Sequence, residues 1–210
     1  MSVIPTTQTV FAEPASEERL HRVIAALQTN GFGAELLDDA AAARRRVAEL
    51  IPADASVYTG TSETLRLSGI DGDINGTERY DAVKARSRTM DRTLALDEVW
   101  RMISTPQFIV GSAQAVTETG ALVLASASGG QLPAYAGGAP HAIWIVGAQK
   151  VVPDLTTALV RVQEHCLPLE NERAMTAYGK PSAVNRLLVL NAEPAPRRGT
   201  VLLLREAIGF

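Results

Sequence analysis

Four short runs constrain this chain more than anything else in it: "ALVLAS" at 121–126, "AIWIVG" at 142–147, "RLLVL" at 186–190 and "TVLLL" at 200–204. Inside each, apolar residues follow one another without a polar break. Successive side chains of a β-strand point to opposite faces, so a strand with one wet face must alternate. A strand that does not alternate is covered on both faces, the condition of a mainly parallel sheet held between other layers. The runs are also too short for buried helices of ordinary length. They predict four core strands, with Leu122, Leu124, Ile143, Ile145, Leu188 and Leu203 among the buried residues.

Between these runs, and before them, the period becomes helical. Leu20, Val23, Ile24 and Leu27 fall at i, i+3, i+4 and i+7, with Ser16 placed to cap the start and Gly31 to end the helix in a left-handed turn. "AELLDD" reads as a strand, Asp39 caps an alanine-rich helix that Pro52 stops, and "ASVYTG" turns at Gly60 into the short helix "TSETLRL". Residues 70–92 are polar and glycine-rich, which predicts an excursion over the surface before a helix at "LDEVWRMIS" and a strand at "PQFIVG". "PDLTTALVRVQEH" reads as a helix with proline at N1 and Leu155, Ala158, Leu159 and Val162 on its buried face. The alternation predicts an α/β fold: a single-domain, mainly parallel sheet flanked by helices, its later part including an antiparallel pair. The domain spans 15–210, after a flexible tail at 1–14.

Charge and cysteine usage narrow the function. A net charge of −3 offers no basic field for nucleic acid, and the one basic run, Arg44 to Arg46, falls on a solvated helix face. The single cysteine, Cys166, rules out an internal disulfide framework and a cysteine-ligated iron–sulfur cluster carried by this chain alone, and it fits a reducing cytoplasm. No run approaches the ~20 apolar residues of a spanning helix, so no membrane role is expected. His21, His141, His165 and Cys166 have no recognised ligand spacing, so no metal site is expected.

Ligands of open α/β sheets collect where strands run into loops, which directs attention to three places. At Gly60, Thr61 and Ser62 a tight turn puts hydroxyls beside the free N–H groups of a helix start, a geometry for a small phosphate or carboxylate, although the adjacent Glu63 can satisfy that helix end by itself. Glu118 precedes "TGALVLAS", where partial burial would make it a base or nucleophile, and His141 before the next strand could share the proton work. The structural alternatives are that Glu118 pairs with an arginine and that His141 simply ends a loop. At the C-terminal end, Glu206 follows a buried strand, and Arg197 and Arg198 on the opposite turn read as surface charges first and ligand contacts second. Lys150 and the loop Tyr178, Gly179, Lys180 and Pro181 are weaker candidates. No dinucleotide glycine signature, Walker loop or G-x-S-x-G elbow occurs in usable context.

The block "AVTETGALVLASASGGQLPAYAGGAPHAIWIVGAQKVVPDL", with "VYTGTSETLRLSGI" and the terminal "SAVNRLLVLNAEPAPRRGTVLLLREAIGF", resembles the lactate-utilisation (LUD) domain family, closest in type to lactate-utilisation protein C. The resemblance implies a fold akin to ribose-phosphate isomerases and coenzyme A transferases. It also implies a part in oxidising L-lactate, or a related 2-hydroxy acid, to pyruvate beside partner subunits that carry the iron–sulfur clusters. On the family's motifs, Glu118, Thr119 and Gly120 occupy the acid-Thr-Gly start, Ser128, Gly129 and Gly130 the small-residue loop, and His141 the histidine before the second strand. The loop "QLPAYAGGAPH" is richer in glycine and alanine than the family pattern, which leaves the substrate open. Two other readings stand beside this one. The first is a self-sufficient enzyme on a phosphorylated or coenzyme A-linked small molecule, with Glu118 as base or nucleophile. The second is a non-catalytic assembly module.

Overall fold

The computed structural model describes residues 10–91 and 95–210. Of the expected tail, residues 1–9 lie outside the described residues, whereas Phe11 is packed: it joins an apolar cluster with Ala158 and Val162, and its ring meets His165 edge-on.

The chain opens with helix α1 (Glu17–Thr29), which buries Leu20, Val23 and Leu27. Ser16 stands at its N-cap without a side-chain hydrogen bond, and the acids Glu17 and Glu18 meet the positive helix end instead. At Gly31, φ is +88°, and a β-carbon there would sit 2.3 Å from the carbonyl oxygen of Glu193, so turn and close approach both require glycine. Strand β1 (Gly33–Leu37) follows, then α2 (Ala40–Leu50), capped by Asp39 accepting from the Ala42 N–H at 2.7 Å. Next come β2 (Ser56–Thr59), the short helices α3 (Glu63–Leu67) and α4 (Ile70–Asn75), the two-residue β3 (Asp81–Ala82), α5 (Val83–Thr89) and α6 (Leu96–Ser104). Residues 70–91 are therefore not a surface excursion, and residue 92 lies outside the described residues. Ile70, Ile74, Tyr80 and Val83 are buried, and the apolar positions are too few and too scattered for the sequence to reveal their common inward face.

The second half contributes β4 (Phe108–Gly111), β5 (Ala115–Thr117), β6 (Leu122–Ser126), β7 (His141–Gly147), β8 (Val151–Val152), helices α7 (Leu155–Arg161) and α8 (Leu167–Tyr178), β9 (Arg186–Leu190) and β10 (Gly199–Leu204). A π turn, Val162–Cys166, joins α7 to α8, and another spans Ala134–Gly138. Six strands form an all-parallel sheet in the order β1-β10-β7-β4-β2-β3. Four more form a mixed sheet, β8-β5-β6-β9, whose antiparallel pairs are β5 with β6 and β6 with β9.

Burial explains why the apolar runs do not alternate. Along β7, Ala142, Trp144 and Val146 join the core on one face of the large sheet, while Ile143 and Ile145 join a second core beneath α2 and α3. The first core also holds Val116, Leu122 and Leu124, so the small sheet packs on the large one. The outer face of the small sheet, with Ala115 and Val123, meets Ala158 of α7 and Val162 of the turn after it. All four expected core strands are present. Leu122, Leu124, Ile143, Ile145 and Leu203 are buried, and Leu188 is partly buried against the core.

Helix α7 departs from its sequence reading. Asp154, not proline, marks its start, with its carboxylate accepting from the Thr157 N–H at 2.7 Å. Ala158 and Val162 are buried as expected, yet Leu155 and Leu159 remain 42% and 37% exposed while Arg161 is wholly enclosed. The Arg161 guanidinium finds acceptors inside, donating to the carbonyls of Gln114 and Phe11 and to the Cys166 sulfur, which lets a charged side chain hold an interior position.

Candidate functional site

The carboxyl ends of β2 and β4, the end of β6, helix α8 and the 178–185 loop enclose a cavity of about 590 Å³. Parallel strands end together at one edge of the large sheet, and the loops leaving them diverge there to leave a crevice. Gly60, Thr61 and Ser62 line it from β2, Ser112 and Gln114 from β4, and Ser126 and Ser128 from β6. Tyr178, Lys180 and Pro181 line it from the far side.

Tyr135 shapes the floor. Its ring stacks on Trp144 at 5.5 Å, and its hydroxyl lies where a β-carbon on Gly111 would be, 1.6 Å from that position. Glycine at 111 is thus what allows a phenol to cross the end of β4. Burial raises the pKa of this phenol, so it stays a protonated donor at the cavity wall.

Ser62 caps α3, accepting from the Leu65 N–H at 3.4 Å. Glu63 is bound by Arg66 at 2.5 Å, and that pairing, with a smaller contribution from the charge of Arg173, holds its carboxyl below the usual carboxylate range. A fixed negative charge therefore sits at the helix end next to Thr61 and Ser62. Across the cavity, Arg173 is tied to Glu170 at 2.6 Å. The loop after β6 is pinned by Ser126, whose hydroxyl accepts from the Gly129 N–H at 2.8 Å and donates to Gln131 at 3.1 Å. Gly129 and Gly130 are buried behind Ser128, and Gly130 packs near Ile103 and the Tyr58 hydroxyl.

The remaining sequence candidates lie elsewhere. Glu118, in the β5–β6 turn, accepts from Arg19 at 2.6 Å and faces Arg22 at 3.4 Å. Thr119 and Gly120 share that turn, where their carbonyls accept from the Asn30 side chain at the end of α1. His141 is exposed at the amino end of β7, stacked on Phe108 at 4.5 Å. None of these four lines the cavity. Arg198 is no surface charge. It is paired with Glu193 at 2.5 Å and donates to the carbonyls of Ala134, Tyr135 and Ala139, which ties down the π turn. Glu206 accepts from the Ala40 N–H at the start of α2.

The residue that sequence reasoning underweighted is Lys150. It is 1% exposed, and its Nζ lies 2.8 Å from Thr64 Oγ1 and 3.0 Å from Ser112 Oγ, directly behind the cavity wall. Burial first, and the Arg161 charge second, pull its pKa down to about 7. Burial also raises the Cys166 thiol, so that this cavity-lining sulfur stays protonated. Among the described residues no group of three or more His, Cys, Asp or Glu could hold a metal ion, and no helix is long and apolar enough to cross a membrane.

The model of the LUD domain matches residues 20–200, which takes in the small sheet, the large sheet up to the start of β10, and the cavity lining apart from Phe210. The chain belongs to the LUD domain family. Its fold is similar to that of a DUF162 family protein from Deinococcus radiodurans, known from a crystal structure, at a TM-score of 0.56 and 14% sequence identity over 91% of this chain and 99% of that one. At that identity the likeness is one of fold alone. No curated protein matches the chain. In this LUD domain the cavity draws on segments from residue 58 to residue 210, so it is a product of the whole fold and not of one motif.

Proposed function

We propose that this LUD-domain chain is the cluster-free, cytoplasmic member of a lactate-utilisation system, of the protein C type. In this reading it supports oxidation of L-lactate or a related 2-hydroxy acid to pyruvate beside iron–sulfur subunits. The observation that carries it is the LUD match across 20–200. The lone cysteine supports the division of labour, because a cluster needs several thiolates and this chain has one, buried. Gly60, Thr61, Ser62 and Ser128 are the proposed ligand contacts, with Gly129 and Gly130 holding their loop. Glu118, Thr119, Gly120 and His141 stand outside ligand contact in this reading.

Disrupting the gene should abolish growth on L-lactate as sole carbon source, and the tagged protein should recover cysteine-rich iron–sulfur partners. Undiminished growth would overturn the proposal, as would lactate oxidation by the purified chain alone.

A second reading, a self-sufficient enzyme on a phosphorylated or coenzyme A-linked molecule, draws support from the cavity volume of about 590 Å³, in which a three-carbon acid occupies a small fraction. A thermal-shift panel of 2-hydroxy acids, sugar phosphates and acyl thioesters separates the two. A ligand at 100 times its dissociation constant adds about 2.7 kcal/mol of stability. A shift with thioesters or phosphates and none with 2-hydroxy acids favours the second reading.

A further inference from the structure

Ser112, Lys150 and Thr64 form a connected group that neither reading uses. Ser112 leaves the carboxyl end of β4, is half-buried, and lines the cavity. Lys150, in the single turn Ala148–Lys150 after β7, brings its amine to 3.0 Å from the Ser112 hydroxyl. Thr64, on α3, lies 2.8 Å from the same amine and directs its own hydroxyl to the Ile208 carbonyl at 3.3 Å. Thr64 has one proton, and it is directed to that carbonyl, so towards Lys150 Thr64 acts as acceptor. This fixes one N–H of the amine. A second N–H is donated to Ser112 Oγ at 3.0 Å while the Ser112 proton goes to the Ala113 carbonyl at 3.3 Å, so passing that proton to Lys150 takes a rotation of the hydroxyl and of the neutral amine, with the two heavy atoms already in contact. A nucleophile in reach of a base, with the base oriented by a third group, is the arrangement that activates a hydroxyl, and serine–lysine pairs are one of its known forms.

We propose that Ser112 is a nucleophile for acyl transfer, with Lys150 as its general base and Thr64 as a positioning residue, acting on a carboxylic ester or thioester bound in the cavity. Ser112 Oγ attacks the acyl carbon, its proton passes to Lys150 Nζ, and the bond from carbon to the leaving oxygen or sulfur breaks as Lys150 returns that proton to the leaving group. Water then attacks the acyl-serine, giving its proton to Lys150. The Oγ–carbon bond breaks, and the carboxylic acid leaves with Ser112 reprotonated. A base must be unprotonated at working pH, and a pKa of about 7 supplies that for Lys150, with burial lowering it most, Arg161 adding to that and Cys166 opposing. This activity stands apart from the lactate reading, since it needs neither L-lactate nor a partner.

The test is covalent labelling of the full chain with a fluorophosphonate, followed by peptide mapping, together with p-nitrophenyl acetate hydrolysis. One label per chain on Ser112 is expected, lost in Ser112→Ala. The labelling rate should rise through about pH 7 and fall about 100-fold or more in Lys150→Met, in the range of a lost general base. Thr64→Val should move the pH midpoint, and Thr64→Ser should restore it. Absence of label from Ser112 in the folded wild-type protein, or equal labelling in Lys150→Met, would overturn the proposal. The mapping needs no variant, so a variant that does not fold leaves it decisive.

Discussion

Replacing Lys150 with methionine should remove a defined pH dependence of stability. The buried amine has a pKa of about 7 in the folded protein against 10.5 when free. Between those values the unfolded chain binds the proton and the folded chain does not, so stability rises with pH there. Below about pH 7 both states are protonated and the full cost of enclosing the charge remains; it is relieved as pH climbs towards 10.5. At up to 1.36 kcal/mol per pH unit, the rise from about pH 7 to about pH 10 integrates to about 3 kcal/mol. Methionine keeps most of the stem and carries no proton, and the stranded hydroxyls of Thr64 and Ser112 add only a pH-independent offset. The assay is urea unfolding of both proteins across this range, comparing free energies at constant m. The wild type should gain about 3 kcal/mol on the variant as pH rises. A difference flat to within about 1 kcal/mol would refute the claim that burial depresses this amine.

Ile145→Ala, wholly enclosed in β7, should cost about 2–5 kcal/mol in chemical denaturation, and a loss below about 1 kcal/mol would contradict its place in the core. Gly111→Ala puts a methyl 1.6 Å from the Tyr135 hydroxyl, so it should destabilise by about 1–3 kcal/mol and displace the phenol, read as a changed tyrosine fluorescence. Glu118→Gln weakens partly exposed pairs with Arg19 and Arg22, so a loss of at most about 1 kcal/mol is expected, with ligand-induced thermal shifts intact. Abolished shifts in that variant would bring Glu118 back into the ligand site.

What the sequence revealed, and what it hid, divides along physical lines. The apolar strands were legible because burial on both faces leaves a one-dimensional trace, as Ile143 to Val146 show by filling two cores alternately. Which strands become neighbours leaves no such trace. The runs holding β6 and β7 look alike, yet they enter different sheets, and Glu118 and His141 line no shared pocket wall. Gly60, Thr61, Ser62 and Ser128 stand at strand ends in the sequence pattern and line the cavity in the fold. Lys150 was not legible as a buried group, because "GAQKVV" resembles a surface turn, and the hydroxyls that receive its amine come from positions 86 and 38 residues away. The burial of Arg161 left no trace in the sequence either, because two of its acceptors are backbone carbonyls of distant segments.

The position of β10 sets the order in which this molecule can be assembled. It lies between β1 and β7, with Gly33 of the first strand in register with Thr200 of the last. Until β10 has left the ribosome, β1 has no neighbour in the sheet and the adjoining edge of β7 stays open. Closing so long a loop carries an entropic cost that only the final strand repays, a slow and non-local step. A nascent or truncated chain that stops before β10 therefore exposes apolar strand edges. Such a chain should be aggregation-prone and a client for chaperones, however well its earlier helices form.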